Sequence, residues 1–253
     1  MMLPGALKQI FENAEIITVL TGAGISAESG LATFRGKEGL WARFKPEELA
    51  NMQAFLANPE MVWDWYQHRR DVLSTAKPNA GHIALAEWEK LAPKFTLATQ
   101  NVDGLHRMAG SRHVLELHGN IRVNRCQKCG LESSDETVKF AGRVPTCHSC
   151  GGMLRPGVVW FGEQLPEKIL QDAFRAAERC DIFLTIGTSS QVYPAASLPE
   201  IARGSGATVV EINTEPTPFT PMASFHLPGM AGSILPELVD AYRQARALPN
   251  DLG

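Results

Sequence analysis

No apolar run in this sequence approaches the roughly 20 residues that a membrane-spanning helix needs, so no membrane partner is expected. The start, Met1-Met2-Leu3-Pro4-Gly5, has no basic stretch leading into an apolar core, and there is no terminal lipidation motif. A cytoplasmic location is the expectation. Basic charge is also in short supply: 24 Lys and Arg against 27 Asp and Glu give a formal net charge of -3. With no global basic field, direct nucleic-acid binding is not expected, and recognition must come from a local site. Cysteines are few, and an odd total of five without an export signal argues against a disulfide framework. There is no internal repeat and no long low-complexity linker. What remains is an ordinary globular composition over 253 residues, enough for one large domain with a small satellite. A monomer is expected.

Apolar periodicity supplies the elements. Leu3, Ala6, Leu7, Ile10 and Phe11 repeat at helical spacing, and residues 16–20 read as a buried strand. Asn58 before Pro59 marks a helix start, and Asn79 caps another helix. Residues 95–99, 114–117, 182–186 and 207–212 read as strands. Helices are expected from Pro166 to about Arg179, around 195–202, and through Ile234, Leu238 and Tyr242. The segment from Gly157 to Phe161 looks extended. Apolar strands alternating with helices indicate an α/β fold with a parallel sheet covered on both faces. A small module and a helical insertion near residues 40–75 complete it.

Cys126-x-x-Cys129, then 17 residues, then Cys147-x-x-Cys150 is the spacing of a zinc ribbon. Each turn offers two thiolates, and four thiolates close the coordination sphere, so one structural zinc ion is expected. The surrounding residues are too polar to build a core of their own and need such a staple. His148, between two of the cysteines, is expected to be exposed, and Cys180 to be a buried small hydrophobe.

Polar turns follow the predicted strands. Gly22-Ala23-Gly24 with Ser26 follows the first, a pattern that suits a dinucleotide pyrophosphate but by itself equally suits a tight strand-to-helix turn. Gln100-Asn101-Val102-Asp103 and His118-Gly119 follow two more, Gly187-Thr188-Ser189 and Asn213-Thr214-Glu215 two others. Ligands of open α/β sheets sit at such strand ends. Histidine is the side chain best suited to proton transfer near neutral pH. His106 and His113 are read as structural.

Together these segments, with Phe34-Arg35 and the four cysteines, resemble the sirtuins, the NAD-dependent protein deacylases, in family order along nearly the whole chain. One departure is Ala32-Thr33 before Phe34, where many members have Pro-Asp. The resemblance implies a Rossmann-like NAD-binding domain (1–39, 77–119 and 158–253) and a smaller domain of helical insertion and zinc ribbon (40–76 and 120–157). It implies that His118 is the catalytic base and that Asn101 positions ribose or water. Gly22, Ala23, Gly24, Ser26, Gln100, Gly187, Thr188 and Ser189 would hold NAD, consumed as co-substrate. Asp103 would hold the nicotinamide amide, Phe34 and Arg35 would close over the cofactor, and Asn213, Thr214, Glu215 and Ala231 would line the adenosine end. Acylated lysines of protein substrates would bind as an extended strand along Val158, Val159, Trp160, Phe161 and Gly162.

Tyr66-Gln67-His68-Arg69 further resembles the Tyr-x-x-Arg signature of desuccinylases and demalonylases, a bacterial type within the family. Three positions apart on a predicted helix, Tyr66 and Arg69 share a face. A guanidinium and a phenol can together bind the distal carboxylate of a succinyl, malonyl or glutaryl chain. Ala50 would leave room for that chain, and acetyl removal is expected alongside. Two rival readings share parts of the pattern: an NAD-dependent dehydrogenase, and a zinc-ribbon adaptor that binds ADP-ribose without turnover.

Overall fold

Ile16–Thr21 (β1) carries apolar residues on both faces, the mark of a strand covered from two sides, and it lies inside a six-stranded sheet. The structure, a computed structural model, describes residues 4–33, 46–134, 138 and 140–248, without the side chains of Pro46 and Glu47. Helix α1 (Gly5–Asn13) precedes β1, and α2 (Pro46–Leu49), α3 (Met52–Ala57), α4 (Pro59–Thr75) and α5 (Ala80–Leu91) come after it. Then follow β2 (Lys94–Thr99), α6 (Leu105–Met108), β3 (Val114–Glu116), β4 (Gly119–Cys126), β5 (Glu132–Ser133) and β6 (Leu154–Val158). The chain closes with α7 (Glu167–Arg179), β7 (Ile182–Ile186), α8 (Leu198–Gly204), β8 (Thr208–Asn213), β9 (Phe225–Pro228) and α9 (Ala231–Ala245).

The large sheet runs β3-β2-β1-β7-β8-β9, and every pairing is parallel. The order reverses between β1 and β7. That is the topological switch point, where neighbouring loops leave the sheet in opposite directions and open a crevice. Phe11, Trp88, Leu235 and Tyr242, from α1, α5 and α9, fill one face. Ala173, Ala177 and Leu198, from α7 and α8, cover the other with Phe183.

A second, antiparallel sheet of order β5-β4-β6 lies beside the first. Its core joins Phe55, Trp63 and Tyr66 from the helical insertion to Ile121, Leu154 and Trp160. Two side chains of α4 stitch the layers. Trp63 Nε1 donates to Leu154 O at 2.8 Å. Arg70 donates to Ile121 O at 2.8 Å, Asn124 Oδ1 at 2.9 Å and the carbonyls of Val123 and Val138 at 3.3 Å.

Most expected elements are present, and both cap predictions hold. Asn58 accepts from Met61 N at 3.1 Å, and Asn79 forms a capping box with His82. Three expectations need correction. The helix around 195–202 is split into a 3-10 turn, Ala195–Ser197, and α8. The strand expected at 157–161 is β6, which ends at Val158. Beyond it Trp160 N donates to Glu163 Oε2 and Glu163 N to Trp160 O, which turns the chain. The turn after β1 enters a 3-10 helix, Ala23–Ser29, in place of an α-helix.

The four paired cysteines converge, all Sγ atoms lying within 4.8 Å of one another. Cys126 and Cys150 are 3.5 Å apart, Cys129 and Cys147 3.8 Å. A zinc ion with Zn–S bonds of about 2.3 Å needs sulfurs about 3.8 Å apart at the corners of a tetrahedron. The amides of Lys128 and Cys129 aim at Cys126 Sγ and favour its thiolate. Gly152 is needed here, because a Cβ would stand 2.7 Å from Lys128 Cβ and 3.2 Å from Cys126 Sγ. The cluster therefore fits a closed structural zinc. His148 is exposed, and Cys180 is buried with its thiol on Ala177 O, both as expected. Stripping the metal with a chelator, or replacing Cys126 or Cys147 with Ser, should lower the melting temperature and activity together. An unchanged melting curve after verified metal removal would contradict the staple.

Candidate active site at the switch point

Gly22, Gly24 and Gly187 form the seam of the crevice. Gly22 N donates to Ile186 O at 2.9 Å, and Gly24 N to Gly187 O at 2.8 Å. A Cβ on Gly22 would lie 2.8 Å from Gly187 O, one on Gly24 2.6 Å from Gly187 Cα, and one on Gly187 2.5 Å from Ile25 N. Gly187 also has a φ of +59°. Glycine is required because the loops after β1 and β7 touch backbone to backbone.

Beneath this seam lies a buried polar floor. Asn101 Nδ2 donates to Gly22 O at 3.1 Å and Ser26 Oγ at 3.2 Å, and Ser26 Oγ donates to Asp103 Oδ2 at 2.8 Å. Asp103 Oδ1 accepts from Leu105 N at 2.9 Å. Thr21, Thr99 and His106 continue the chain of bonds, and His82 reaches Ser26 at 3.4 Å. Burial lowers the pKa of both histidines, that of His82 to about 4. His106 is structural, as expected.

His118 follows β3 and lines the crevice. Its Nδ1 is 3.0 Å from Gln100 O. A carbonyl oxygen can only accept, so the neutral ring carries its proton on Nδ1 and leaves the Nε2 lone pair able to accept one. Burial lowers its pKa, opposed by the bond to Gln100. Gly119, with a φ of +76°, lets β6 pass so close that a Cβ would meet Gly157 O at 2.2 Å. Val159 N then donates to His118 O at 2.8 Å, bringing the second sheet against the histidine.

The crevice has a volume of about 1190 Å³. One wall carries Tyr66 and Arg69, one helical turn apart on α4, with Trp160 against Tyr66. Trp160 Nε1 donates to Tyr66 Oη at 2.8 Å. Arg69 lies over the Trp65 ring, 5.0 Å from its centroid, and burial lowers its pKa. Gln100 Nε2 donates to Thr188 Oγ1, and Asn213 Nδ2 to Thr188 O, tying the ends of β2, β7 and β8 together.

Most of the predicted site residues line this one cavity: Gly22, Ala23, Gly24, Gln100, Asn101, His118, Gly187–Ser189, Asn213–Glu215 and Ala231, with Tyr66, Arg69 and Val158–Gly162. Three do not. Ser26 and Asp103 are buried in the floor, bonded to each other, and Ala50 is buried with its carbonyl on Phe161 N. Phe34 and Arg35 lie outside the described residues. In the segment expected to pair with substrate as an added strand, the Val159, Trp160 and Phe161 amides bond to His118 O, Glu163 Oε2 and Ala50 O. The sequence reading missed Trp65, Gln191–Tyr193, Pro216–Pro218 and Met230, which also line the cavity. Two of these groups continue the polar turns after β7 and β8, so following each turn to its end would have found them.

The fold and site define a doubly wound protein with a nucleotide-type crevice at its switch point and a four-cysteine cluster on the adjoining antiparallel sheet. Residues 22–194 match the Sir2 family. An NAD-dependent protein deacylase of Aquifex aeolicus is 51% identical over 233 residues, 92% of this chain and 97% of the relative. NAD-dependent protein deacylase 1 of Archaeoglobus fulgidus is 51% identical over 239 residues, 94% of this chain and 97% of the relative. Among solved structures, a mutant Sir2 homologue in complex with ADP-ribose superposes with a TM-score of 0.94 at 47% identity, covering 98% of this chain and all of the other. A Sir2 homologue–NAD complex gives a TM-score of 0.91 at 48% identity, covering 97% and 96%. A Sir2 with a p53 peptide and NAD+ gives 0.84 at 32%, covering 94% and 98%. The chain belongs to the Sir2 family.

Burial of a neutral imidazole has a direct consequence. In an NMR titration His118 should protonate below the ordinary 6.5, so the base is free at neutral pH. A midpoint at or above 6.5 would contradict the environment described.

Proposed function

We propose that the protein removes acyl groups from protein lysines, consuming NAD and giving nicotinamide, free lysine and O-acyl-ADP-ribose. The observation that carries this reading is His118: its Nδ1–H is held on Gln100 O, and its base-competent nitrogen belongs to the same cavity as Asn101 and the glycine seam. In this reading the acyl oxygen attacks the nicotinamide ribose and nicotinamide leaves. His118 takes a proton from a ribose hydroxyl, whose oxygen then attacks the acyl carbon. The carbon–nitrogen bond to lysine breaks, the amine leaves with a proton, and one water supplies the oxygen and hydrogens that complete O-acyl-ADP-ribose. Asn101, fixed by Gly22 O and Ser26, positions ribose or water. Asp103, with both oxygens engaged in the floor, holds the Asn101–Ser26 arrangement that the nicotinamide pocket requires.

The relatives named as NAD-dependent deacylases and the neighbours that hold NAD, ADP-ribose or a peptide support the assignment. The peptide is proposed to lie between the turn at Phe161–Gly162 and Gln191–Tyr193, whose exposed aromatic rings flank the cavity. The two lobes proposed are 1–39, 77–119 and 158–253 for the cofactor, and 40–76 with 120–157 for the zinc ribbon and insertion. The three-stranded sheet falls almost wholly within the second set, which supports the division.

The acyl groups proposed are succinyl, malonyl and glutaryl, with acetyl as a further substrate. Tyr66 and Arg69 on the cavity wall support this, because a guanidinium and a phenol side by side can together bind the distal carboxylate of the acyl chain. Losing a charge-assisted bond to a carboxylate typically costs about 1.5–3 kcal/mol, roughly ten- to a hundredfold in kcat/KM. Arg69→Met should therefore lower desuccinylation by that factor and deacetylation far less. Tyr66→Phe should show the same bias more weakly. Equal losses on both substrates in both variants would remove the acidic-acyl assignment while leaving deacylation intact. His118→Ala should retain NAD binding in a direct titration and lose turnover, whereas near-normal turnover would remove its role as base.

A further inference from the structure

Tyr66 and Trp160 both line the cavity and meet within its wall. The indole Nε1 donates to the Tyr66 hydroxyl oxygen at 2.8 Å in a buried bond. An indole N–H can only donate, so the phenol oxygen is the acceptor. The phenol has a single proton, and that proton must point away from Trp160.

The indole itself is clamped. The Arg155 guanidinium lies 4.2 Å from its ring centroid, and Phe55 packs against it at 5.3 Å. Glu163 accepts from Trp160 N at 2.9 Å and pairs with Arg155 at 2.9 Å. These contacts hold the ring from its face, its neighbour and its own backbone, so the direction of the N–H is set before any substrate arrives. Burial pushes the Tyr66 phenol up to about 12, and the hydroxyl therefore keeps its proton at any ordinary working pH.

We propose that Trp160 is a positioning residue for acyl selectivity: by donating to the Tyr66 oxygen it turns the Tyr66 O–H, beside Arg69, toward the distal carboxylate of an acidic acyl chain. A carboxylate only accepts. A freely rotating hydroxyl would present it with a lone pair part of the time, and the indole removes that orientation. The gain is preorganisation: the donor is ordered in the free protein, and binding no longer has to order it. The proposal rests on the acidic-acyl reading of Tyr66 and Arg69.

The test replaces Trp160 with benzothienylalanine, which keeps the bicyclic shape and substitutes sulfur for the N–H. Trp160→Phe serves as the genetically encoded companion. The readout is the ratio of kcat/KM for a succinyl-lysine peptide to that for the matching acetyl-lysine peptide, which cancels general damage to the fold. The ratio should fall roughly threefold to tenfold in the otherwise unaltered protein. In a Tyr66→Phe background the same replacement should leave the ratio where Tyr66→Phe alone put it, because no hydroxyl remains to be oriented. An unchanged ratio in the first case, or an equal fall in both backgrounds, would overturn the proposal. If Arg69→Met and Tyr66→Phe lower the ratio and the benzothienyl variant does not, only the orientation claim falls. If none of them changes it, the acidic-acyl reading falls and takes this proposal with it.

Discussion

Three backbones with no side chains meet where the strand order reverses. Gly22 and Gly24, after β1, press against Gly187, after β7, with no room for a Cβ on any of them. The rest of the crevice is built outward from that contact. Asn101 reaches Gly22 O from the end of β2, Gln100 and Asn213 both reach Thr188, and Gln100 O in turn holds His118. A side chain at the seam would push the ends of β1 and β7 apart. The bonds that fix Asn101, Thr188 and His118 would then lose their common frame. The glycines expected to admit a pyrophosphate thus have a prior task, which is to let the sheet close its own switch point.

The wall that carries Tyr66 and Trp160 depends on a different constraint. The polar strands β4 and β6 and the cysteine-rich turns between them supply little apolar surface, so they are held by groups from elsewhere. The four cysteines converge where one zinc ion would tie the turns to each other. Arg70 satisfies three carbonyls and Asn124 from the side of α4, and Trp63 satisfies a fourth carbonyl. With the ribbon fixed, Gly119 allows β6 to run close past His118, and the turn at Trp160–Glu163 carries the indole to Tyr66. The zinc ribbon's contribution to the site is therefore mechanical.

Strands β1, β2, β7 and β8 of the large sheet were legible because they are largely apolar on both faces, and Asn79 gives α5 a clear cap, whereas the short edge strand β9, Phe225–Pro228, was not predicted. The strand-end rule marked the turns that hold His118, Asn101, Thr188 and Asn213 without any contact information, and the family resemblance gave those residues their expected roles. β4 was not predicted: Asn120 to Asn124 alternates polar and apolar, but the register shifts between Gly119 and Asn124, and the buried positions Ile121, Asn124 and Cys126 follow no two-residue pattern. Its buried Asn124 is satisfied by Arg70, 54 positions away, which no local pattern reveals. Ser26 and Asp103 were found as site residues, but their depth was not, because a serine bonded to an aspartate in the floor reads in sequence like one that faces a ligand. Trp160 was placed on the wall. Its bond to Tyr66 spans 94 positions and had no sequence signal.

The central claim is that the acyl group leaves lysine by moving to the ribose of NAD, with His118 as the base. Its most direct test is a stoichiometry. Protein, NAD and a succinyl-lysine peptide are incubated together, and nicotinamide, O-succinyl-ADP-ribose and free lysine peptide are quantified by mass spectrometry. The account predicts the three products in equal amounts. Deacylation that proceeds without NAD, or nicotinamide released with no acyl group on ADP-ribose, would contradict it.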